Sequence, residues 1–225
     1  MEIVRLSEAG VEAAARSAAA VLRAGGVVLY PTDTLYGLGA DALSDEAVEK
    51  VRRIKGREGK KPIHCVVADM EMAEEYAELT ADARLLAKEF FPGPLTLVLK
   101  KKPAMTSGIF RDIPTVGIRI PGGEFCRALA REFGRPYTAT SANVSGTESL
   151  SIVDGILAQL DDNARHIDLA LDAGELRRRE PSTVVDTSAS QPIVLREGAI
   201  SAHRIFTLLR PRAAEGSLTA GRRSI

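Results

Sequence analysis

The chain has 225 residues, and its 30 Lys and Arg are balanced by 30 Asp and Glu. An apolar fraction of 45% without net charge excludes a wholly disordered chain, and it also excludes a globally basic coat protein for nucleic acid. Two cysteines cannot build a disulfide scaffold, so we expect Cys65 and Cys126 to be reduced thiols of the core. The N-terminus is no signal peptide and no apolar run is long enough for a membrane span, so we expect a cytoplasmic protein.

The predicted elements follow from apolar runs bounded by Gly or Pro and from helix caps. A strand at residues 3–6 precedes an Ala-rich helix at 7–23, whose N-cap we assign to Ser7. The buried strand 27–30 is followed by a predicted loop at 31–41, because that segment is rich in Gly and Thr and lacks periodicity. Further on we predict helices at 44–56, 69–79, 81–91, 123–133, 151–160 and 201–209, and strands at 63–68, 95–99, 115–120, 137–139, 167–171, 183–185 and 193–196.

The order of these elements bears on the fold class. Strands and helices do not alternate regularly, because two helices follow one strand and several strands follow each other directly. This favours an α/β protein with an α+β-like sheet of mixed direction over a doubly wound parallel sheet. We expect one domain over residues 1–210 and a disordered basic tail at 211–225, where the sequence is small and polar.

Common nucleotide and metal motifs are missing from the sequence. Residues 37–42 fit the dinucleotide fingerprint superficially, but six residues separate them from the preceding strand. The phosphate-binding loop motif, paired Cys-x-x-Cys and His-Glu-x-x-His are absent, and we predict no protein metal site. The three histidines are isolated in sequence.

Positive charge is concentrated between residues 49 and 61, which hold seven bases and two acids. The C-terminus of a helix accounts for the bases up to residue 53. Arg57, Lys60 and Lys61 lie beyond Gly56, in a loop before a buried strand. They are either solvated or part of an anion site held by that strand.

Three other segments carry polar groups that could form a site. Residues 138–146 follow a short strand and offer hydroxyls, an amide and small residues, as in a phosphate cradle or an ordinary turn. Polar residues also follow the strand that ends at Pro31 and open the strand at 183. Arg119 lies in an apolar strand on the face opposite Ile118, so it is an anion anchor only if that face borders a cleft.

Six blocks in this order closely resemble the YrdC-like family of threonylcarbamoyl-AMP synthases. The likeness runs from about Val4 to Leu209, and the family signature Lys-x-Arg followed by Ser-x-Asn stands here as Lys55, Arg57, Ser141 and Asn143. The blocks are residues 31–41, 55–57, 91–96, 116–121, 140–146 and 181–186.

The resemblance implies a twisted mixed sheet with a large concave basic cleft. It implies that L-threonine, bicarbonate or CO2, and ATP are joined into threonylcarbamoyl-AMP with release of pyrophosphate. ATP is then a substrate, accompanied by Mg²⁺, and no cofactor is tightly bound. A separate threonylcarbamoyl-transferase complex would use the product to modify an adenosine of tRNA, and no membrane partner is expected.

The resemblance also assigns residues to roles. It assigns the catalytic set to Lys55, Arg57, Ser141 and Asn143; ATP contacts to Arg57, Lys61, Thr115, Ser141, Ser149 and Arg196; and threonine contacts to Thr34, Arg119, Ala139 and Ser182.

Departures from the family pattern leave alternatives open. Relatives often carry His on the strand after the basic loop, where this chain has Val66, while His64 stands two residues earlier. Longer relatives add a C-terminal domain, whereas here we expect only the tail after Leu209. The chain could therefore be a YciO-like paralogue with little synthase activity, or a protein of the same fold that binds double-stranded RNA through phosphates.

Overall fold

The computed structural model describes residues 1–56, 62–177 and 180–210. Within these ranges eleven strands form one sheet, in the spatial order β1-β9-β2-β3-β8-β4-β7-β6-β10-β11, with β5 attached to β6. The strands are β1 (Glu2–Arg5), β2 (Val28–Pro31), β3 (Tyr36–Gly39), β4 (His64–Val66), β5 (Ala77–Glu78), β6 (Leu95–Lys101), β7 (Thr115–Arg119), β8 (Tyr137–Ser141), β9 (Leu169–Asp172), β10 (Thr183–Asp186) and β11 (Ile193–Arg196).

Eight α-helices of the described chain connect or flank these strands. Their N-termini follow the sequence signals where a Ser, Thr or Asp stands at the start, as at Ser44, Asp69, Thr80 and Ser201, whose side chains accept a backbone N–H bond. The helices are α1 (Leu6–Ala9), α2 (Val11–Arg23), α3 (Asp45–Ile54), α4 (Met70–Tyr76), α5 (Ala81–Phe90), α6 (Glu124–Phe133), α7 (Val153–Leu160) and α8 (Ala202–Leu209).

The sheet is mixed, as predicted. Strand β4 pairs parallel with β7 but antiparallel with β8, and β6 pairs antiparallel with β7 but parallel with β10. Strand β9 pairs parallel with both β1 and β2. Because neighbouring strands run in both directions, polar residues at either end of a strand can meet at one place in the sheet.

Each face of the sheet carries its own hydrophobic cluster. The larger one takes the leucines of β6 (Leu95, Leu97 and Leu99) together with α3, α5 and α7. The smaller one is formed where the Ala-rich helix α2 packs against α6 and the sheet, and it includes Tyr30 and Val66. Each fully buried leucine stabilises the fold by about 1.5–3 kcal/mol relative to leaving it exposed.

The predicted helix at 7–23 is in fact two helices. Gly10 has φ 77°, a conformation that strains other residues, and it separates α1 from α2. The N-cap assigned to Ser7 is therefore wrong, because α1 begins at Leu6 and has Arg5 at its N-cap without a side-chain bond.

A strand was missed in the segment 31–41. Strand β3 pairs antiparallel with β2, and Gly37 stands so close to the Tyr30 ring that an added Cβ would lie 2.9 Å from Cζ. Glycine is needed for this packing, and glycine is also what hides the strand from a propensity-based reading. Strand β8 likewise continues two residues beyond its predicted end, to Ser141.

Both cysteines are free thiols inside the core, as predicted. Burial raises the pKa of Cys65 and of Cys126 to about 12, so both are neutral at physiological pH. Among the described helices, none is long and apolar enough to cross a bilayer. The predicted tail at 211–225 lies outside the described residues.

Candidate active site

A cavity of about 580 Å³ opens on the sheet face that also carries the α2–α6 cluster. Tyr30 and Val66 belong to both the cluster and the cavity wall, so the cavity continues that face where the two helices no longer cover it. Its described lining is Tyr30, Thr32, Thr34, Leu35, Tyr36, Gly37, Lys55, Pro62, His64, Val66, Thr96, Arg119, Pro121, Ala139, Thr140, Ser141, Asn143, Ser145, Gly146, Glu148, Ser149, Glu180, Pro181, Ser182 and Arg196.

One wall of the cavity is a turn built around a buried lysine. Lys55 is the C-cap of α3 and is only 3% exposed. Its Nζ donates to the carbonyl of Ser141, to the carbonyl of Asn143 at 2.9 Å and to Asn143 Oδ1 at 3.0 Å. Because an ammonium has three protons in a tetrahedral arrangement, these three acceptors fix the path of residues 141–143 around it.

The same turn is held by bonds between its own side chains. Ser141 Oγ donates to Asn143 Oδ1 at 2.6 Å, and Asn143 Nδ2 donates to the Thr147 carbonyl at 2.7 Å. The Ser145 N–H donates to the Lys55 carbonyl at 2.9 Å. Lys55, Ser141 and Asn143, which the family signature pairs, are therefore one hydrogen-bonded unit on the cavity wall. We name it the lysine-centred turn.

The opposite wall holds a buried ion pair. Arg119, the last residue of β7, donates from Nη2 to Asp33 Oδ1 at 2.6 Å, and the two side chains are only 10% and 12% exposed. Arg119 Nη1 donates to Thr34 Oγ1 at 3.1 Å, and the Gly122 N–H donates to the other oxygen of Asp33 at 3.1 Å. We name this set the arginine clamp; it fixes the guanidinium plane and leaves further N–H donors toward the cavity.

Ser182, just before β10, and Arg196, at the end of β11, also line the cavity, beyond β7 and β6 in the strand order. The Ser182 carbonyl accepts from Arg196 Nη2 at 2.8 Å and from Nε at 3.2 Å, and Ser182 Oγ accepts from Nη2 at 3.2 Å. The pKa of Arg196 is lowered, first by burial and then by the positive charge of Arg119. Two guanidiniums thus face one partly desolvated space, which favours an anion between them.

The structure brings together most of the residues that the resemblance assigned. Ala139 and Ser149 also line the cavity, whereas Thr115 does not, because it opens β7 four residues before Arg119 and pairs with Lys100. Arg57 and Lys61 lie outside the described residues. The assigned residues that line the cavity are Thr34, Lys55, Arg119, Ala139, Ser141, Asn143, Ser149, Ser182 and Arg196.

Several residues that line or support the cavity have no role predicted from the sequence. Asp33, which holds Arg119, was part of the polar segment after Pro31, but its partner could not be identified from sequence. Thr96 alternates with buried leucines on β6, so the pleat argument used for Arg119 could have found it. The apolar strand of Tyr30 predicts a core residue, and its side chain belongs to both the core and the cavity wall.

In strand β4, Val66 stands where relatives often carry His, and His64 stands two residues earlier. Val66 pairs with Arg119 in the ladder between β4 and β7, so it lies beside the arginine clamp. His64 lines the cavity nearer the lysine-centred turn and pairs with Ala139. Its ring lies against Gly117, where an added Cβ would be 2.4 Å from Cδ2.

The charged side chains of the described lining are Lys55, Arg119 and Arg196 against Glu148 and Glu180. Among the described residues, no group of three or more His, Cys, Asp or Glu could hold a metal ion. Beside the two glutamates, the described lining offers hydroxyls, one amide, backbone groups and three cations, a donor set suited to carboxylate and phosphate oxygens.

Comparison with known proteins identifies the family. The family model Sua5/YciO/YrdC, described as "Telomere recombination", matches residues 20–198. A relative from Methanocaldococcus jannaschii, named putative threonylcarbamoyl-AMP synthase, is 39% identical over 80% of this chain and 84% of its own length.

Two solved structures have the same fold. Pyrococcus abyssi Sua5 complexed with L-threonine superposes with a TM-score of 0.83 at 36% identity, covering 93% of this chain. Escherichia coli YciO superposes with a TM-score of 0.76 at 27% identity, covering 86% of this chain and 93% of its own.

The relatives differ in length. The chain spans 60% of the Pyrococcus structure, and 59% and 56% of two curated threonylcarbamoyl-AMP synthases from Pyrococcus abyssi and Bacillus subtilis. The family model nevertheless covers well over half of this chain, and the six sequence blocks meet at one cavity or its border. This chain belongs to the Sua5/YciO/YrdC family.

Proposed function

We propose that the chain is a threonylcarbamoyl-AMP synthase, which makes threonylcarbamoyl-AMP and pyrophosphate from L-threonine, bicarbonate or CO2, and ATP. The observation that carries this proposal is that the lysine-centred turn and the arginine clamp face the same cavity. One site can thus take a phosphate chain and an amino acid together. The names of the relatives support the same activity.

The reaction needs two bond-forming steps. The α-amine of threonine adds to the carbon of CO2 and loses a proton, which gives a carbamate. A carbamate oxygen then attacks the α-phosphorus of ATP, and the bond from that phosphorus to the leaving pyrophosphate breaks. No covalent bond to the protein is required, so catalysis depends on positioning and on charge stabilisation.

The arginine clamp is the proposed amino-acid side. Arg119 binds the threonine carboxylate through N–H donors that the clamp does not use, and Asp33 keeps the guanidinium plane fixed. Thr34, Ala139 and Ser182 complete this side, because each of them lines the same cavity. Val66 adds an apolar contact next to Arg119.

The lysine-centred turn is the proposed nucleotide side. Ser141 and Asn143 present a hydroxyl and an amide, while Lys55 holds the turn in shape from behind. Arg196 and Ser149 add donors from the neighbouring walls. Arg57 and Lys61, proposed as ligands of the triphosphate from the sequence, lie outside the described residues, and Thr115 stays a sequence-based proposal for the nucleotide.

ATP enters as its Mg²⁺ complex, with the ion held by phosphates and water as part of the substrate. The product is a reactive mixed anhydride, so we propose that a transferase complex consumes it to modify an adenosine of tRNA. The cytoplasm, where ATP and tRNA are available, is the proposed location. Direct contact with RNA would use the same cations that bind ATP.

A YciO-like role is the second candidate, because the fold matches YciO over 93% of that chain. The intact lysine-centred turn favours the synthase over a paralogue with little synthase activity, because a degenerate site would not need to keep it.

The test is pyrophosphate release measured with each substrate omitted in turn, with mass detection of the adenylate. We expect release that needs L-threonine, bicarbonate and ATP and that is slower with L-serine. The variants Ser141→Ala and Arg57→Ala should lose activity while the matched variant Lys50→Ala, an exposed lysine on α3, keeps it. Absence of any threonine-dependent product would contradict the proposal. RNA binding that depends steeply on salt, without ATP binding, would instead indicate an RNA-binding protein.

A further inference from the structure

Thr96 is a polar residue in the middle of an apolar strand. Its neighbours Leu95 and Leu97 point into the larger core, so the pleat turns Thr96 to the opposite face, which carries the cavity. It is only 1% exposed. A buried hydroxyl in such a place is costly unless it makes a hydrogen bond.

The partner of Thr96 is Ser182. The two hydroxyl oxygens lie 3.0 Å apart, and Ser182 Oγ also accepts from Arg196 Nη2 at 3.2 Å. A serine hydroxyl has one proton and two acceptor positions. When Thr96 donates, both acceptor positions of Ser182 are filled, and its proton is left to point at something else.

The space available to that proton is the cavity. Leu97 pairs with Ile118 in the antiparallel ladder between β6 and β7, so one step further along the register Thr96 lies beside Arg119 on the cavity face. Arg119 and Arg196 both line this space, and the pKa of Arg196 is lowered first by burial and then by the positive charge of Arg119. This space is thus lined by the hydroxyl of Ser182 and by the guanidiniums of Arg119 and Arg196.

We propose that Thr96 is a positioning residue: its hydroxyl donates to Ser182 Oγ, so that the Ser182 proton points at an oxygen of the amino-acid substrate beside Arg119. The inference rests on the proposed function and deepens it, because it names what orients the contact between Ser182 and the amino acid. Thr96 itself does not touch the reacting atoms.

A purely structural role makes a different prediction. If the bond between Thr96 and Ser182 served only to satisfy a buried hydroxyl, replacing Thr96 with the isosteric valine would lower stability and leave ligand affinity unchanged. If it orients Ser182, the valine variant frees an acceptor position on Ser182, and the serine proton can turn away from the ligand. Affinity for the amino acid then falls.

The experiment measures L-threonine binding by calorimetry in the full chain for the wild type and for Thr96→Val, Thr96→Ser and Thr187→Val. We expect Thr96→Val to weaken binding about tenfold, as for one lost hydrogen bond, and Thr96→Ser to restore it to within about twofold of the wild type. Thr187 is a matched control, a fully buried threonine after β10 whose hydroxyl bonds to the Val98 carbonyl outside the cavity. Its valine variant should keep wild-type affinity.

The outcomes separate the two proposals. Wild-type affinity in Thr96→Val, or a Thr96→Ser variant as weak as Thr96→Val, overturns the role of Thr96. Threonine binding that depends on the Thr96 hydroxyl, without pyrophosphate release by the wild type, supports Thr96 and overturns the synthase. A wild type that binds no L-threonine overturns both. In steady-state kinetics we expect Thr96→Val to raise the KM for threonine more than the KM for ATP.

Discussion

The two walls of the cavity both depend on a buried cation, but they use it in opposite ways. In the lysine-centred turn the cation organises its surroundings, since Lys55 Nζ gathers carbonyl and amide oxygens from residues 141–143. In the arginine clamp the surroundings organise the cation, since Asp33 and Thr34 fix the plane of Arg119. A compact ammonium suits the first task and a planar fork with five donors suits the second.

This difference predicts that the two walls respond differently to mutation. Removing Lys55 should change a backbone shape and leave several acceptors without a donor. Changing the clamp should leave the backbone in place and alter the aim of one side chain. The first change should therefore affect stability and nucleotide use together, and the second mainly the use of the amino acid.

The largest effect is expected for Lys55→Met, which removes the donor of three buried bonds. Stability should fall by about 3 kcal/mol and the rate of pyrophosphate release by roughly 100-fold, as unsatisfied buried acceptors and a disordered turn imply. Urea unfolding and steady-state kinetics measure the two quantities. Lys50→Met is the matched control on the same helix, because Lys50 is exposed and makes one bond to the Gly25 carbonyl. Equal effects of the two variants would refute the role given to Lys55.

The next largest effect is expected for Asp33→Asn. This variant removes the counter-charge of Arg119 and keeps a side chain of nearly the same size. The pair is nearly buried, so stability should fall by about 2 kcal/mol, and the KM for threonine should rise about tenfold with little change in the KM for ATP. Kinetics at varied threonine and at varied ATP give this split. If both KM values rose alike, the two walls would not act separately.

A smaller effect is expected on strand β7, for the variant Gly117→Ala. The added methyl group would overlap the His64 ring and should lower stability by about 1–2 kcal/mol. The double variant with His64→Ala should recover most of this loss, which a double-mutant cycle of thermal or urea unfolding measures. Gly155→Ala is a matched control, because a Cβ at Gly155 on α7 meets its first atom only at 3.4 Å. A cycle with no coupling would show that the ring does not rest on Gly117.

A last effect appears only at high pH and concerns Tyr36, whose hydroxyl donates to the Gly174 carbonyl at 2.7 Å. Burial raises the pKa of Tyr36 to about 12, above an unfolded value of about 10. The folded state thus holds the proton more tightly, and this stabilisation is complete below pH 10 and lost as the pH rises toward 12. The stability difference between wild type and Tyr36→Phe should shrink over that interval. Urea unfolding across pH 8–12 measures it, and a constant difference would contradict the assignment.

Strands and helices with strong local signals could be predicted from the sequence, and the mixed sheet followed from their order. Two of the differences depend on single glycines, while the helix predicted at 69–79 ends at Tyr76 and is followed by strand β5. Gly10 splits a helix that alanine content alone would continue, and Gly37 sits in a strand because the Tyr30 ring needs the space. The first depends on a backbone angle and the second on a ring of the neighbouring strand. Hydrophobic periodicity reports neither of them.

The site divides in the same way. Lys55, Ser141 and Asn143 were identified because a family signature names them, and Arg119 because strand parity and the family blocks agree. Asp33 and Thr96 could not be assigned a role from the sequence, because each is defined by a partner on another element. The structure identifies the partner of each: Arg119 for Asp33 and Ser182 for Thr96.

The pairing of β1 with β9 has a consequence for how the chain folds. Glu2 is the register partner of Leu169, and Lys55 finds its acceptors only at residues 141–143. Contacts between such distant residues raise the contact order, and proteins of high contact order fold slowly. During synthesis the Lys55 ammonium leaves the ribosome long before its acceptors do and stays hydrated until they arrive. The lysine-centred turn can therefore close only after residues 141–143 have been synthesised.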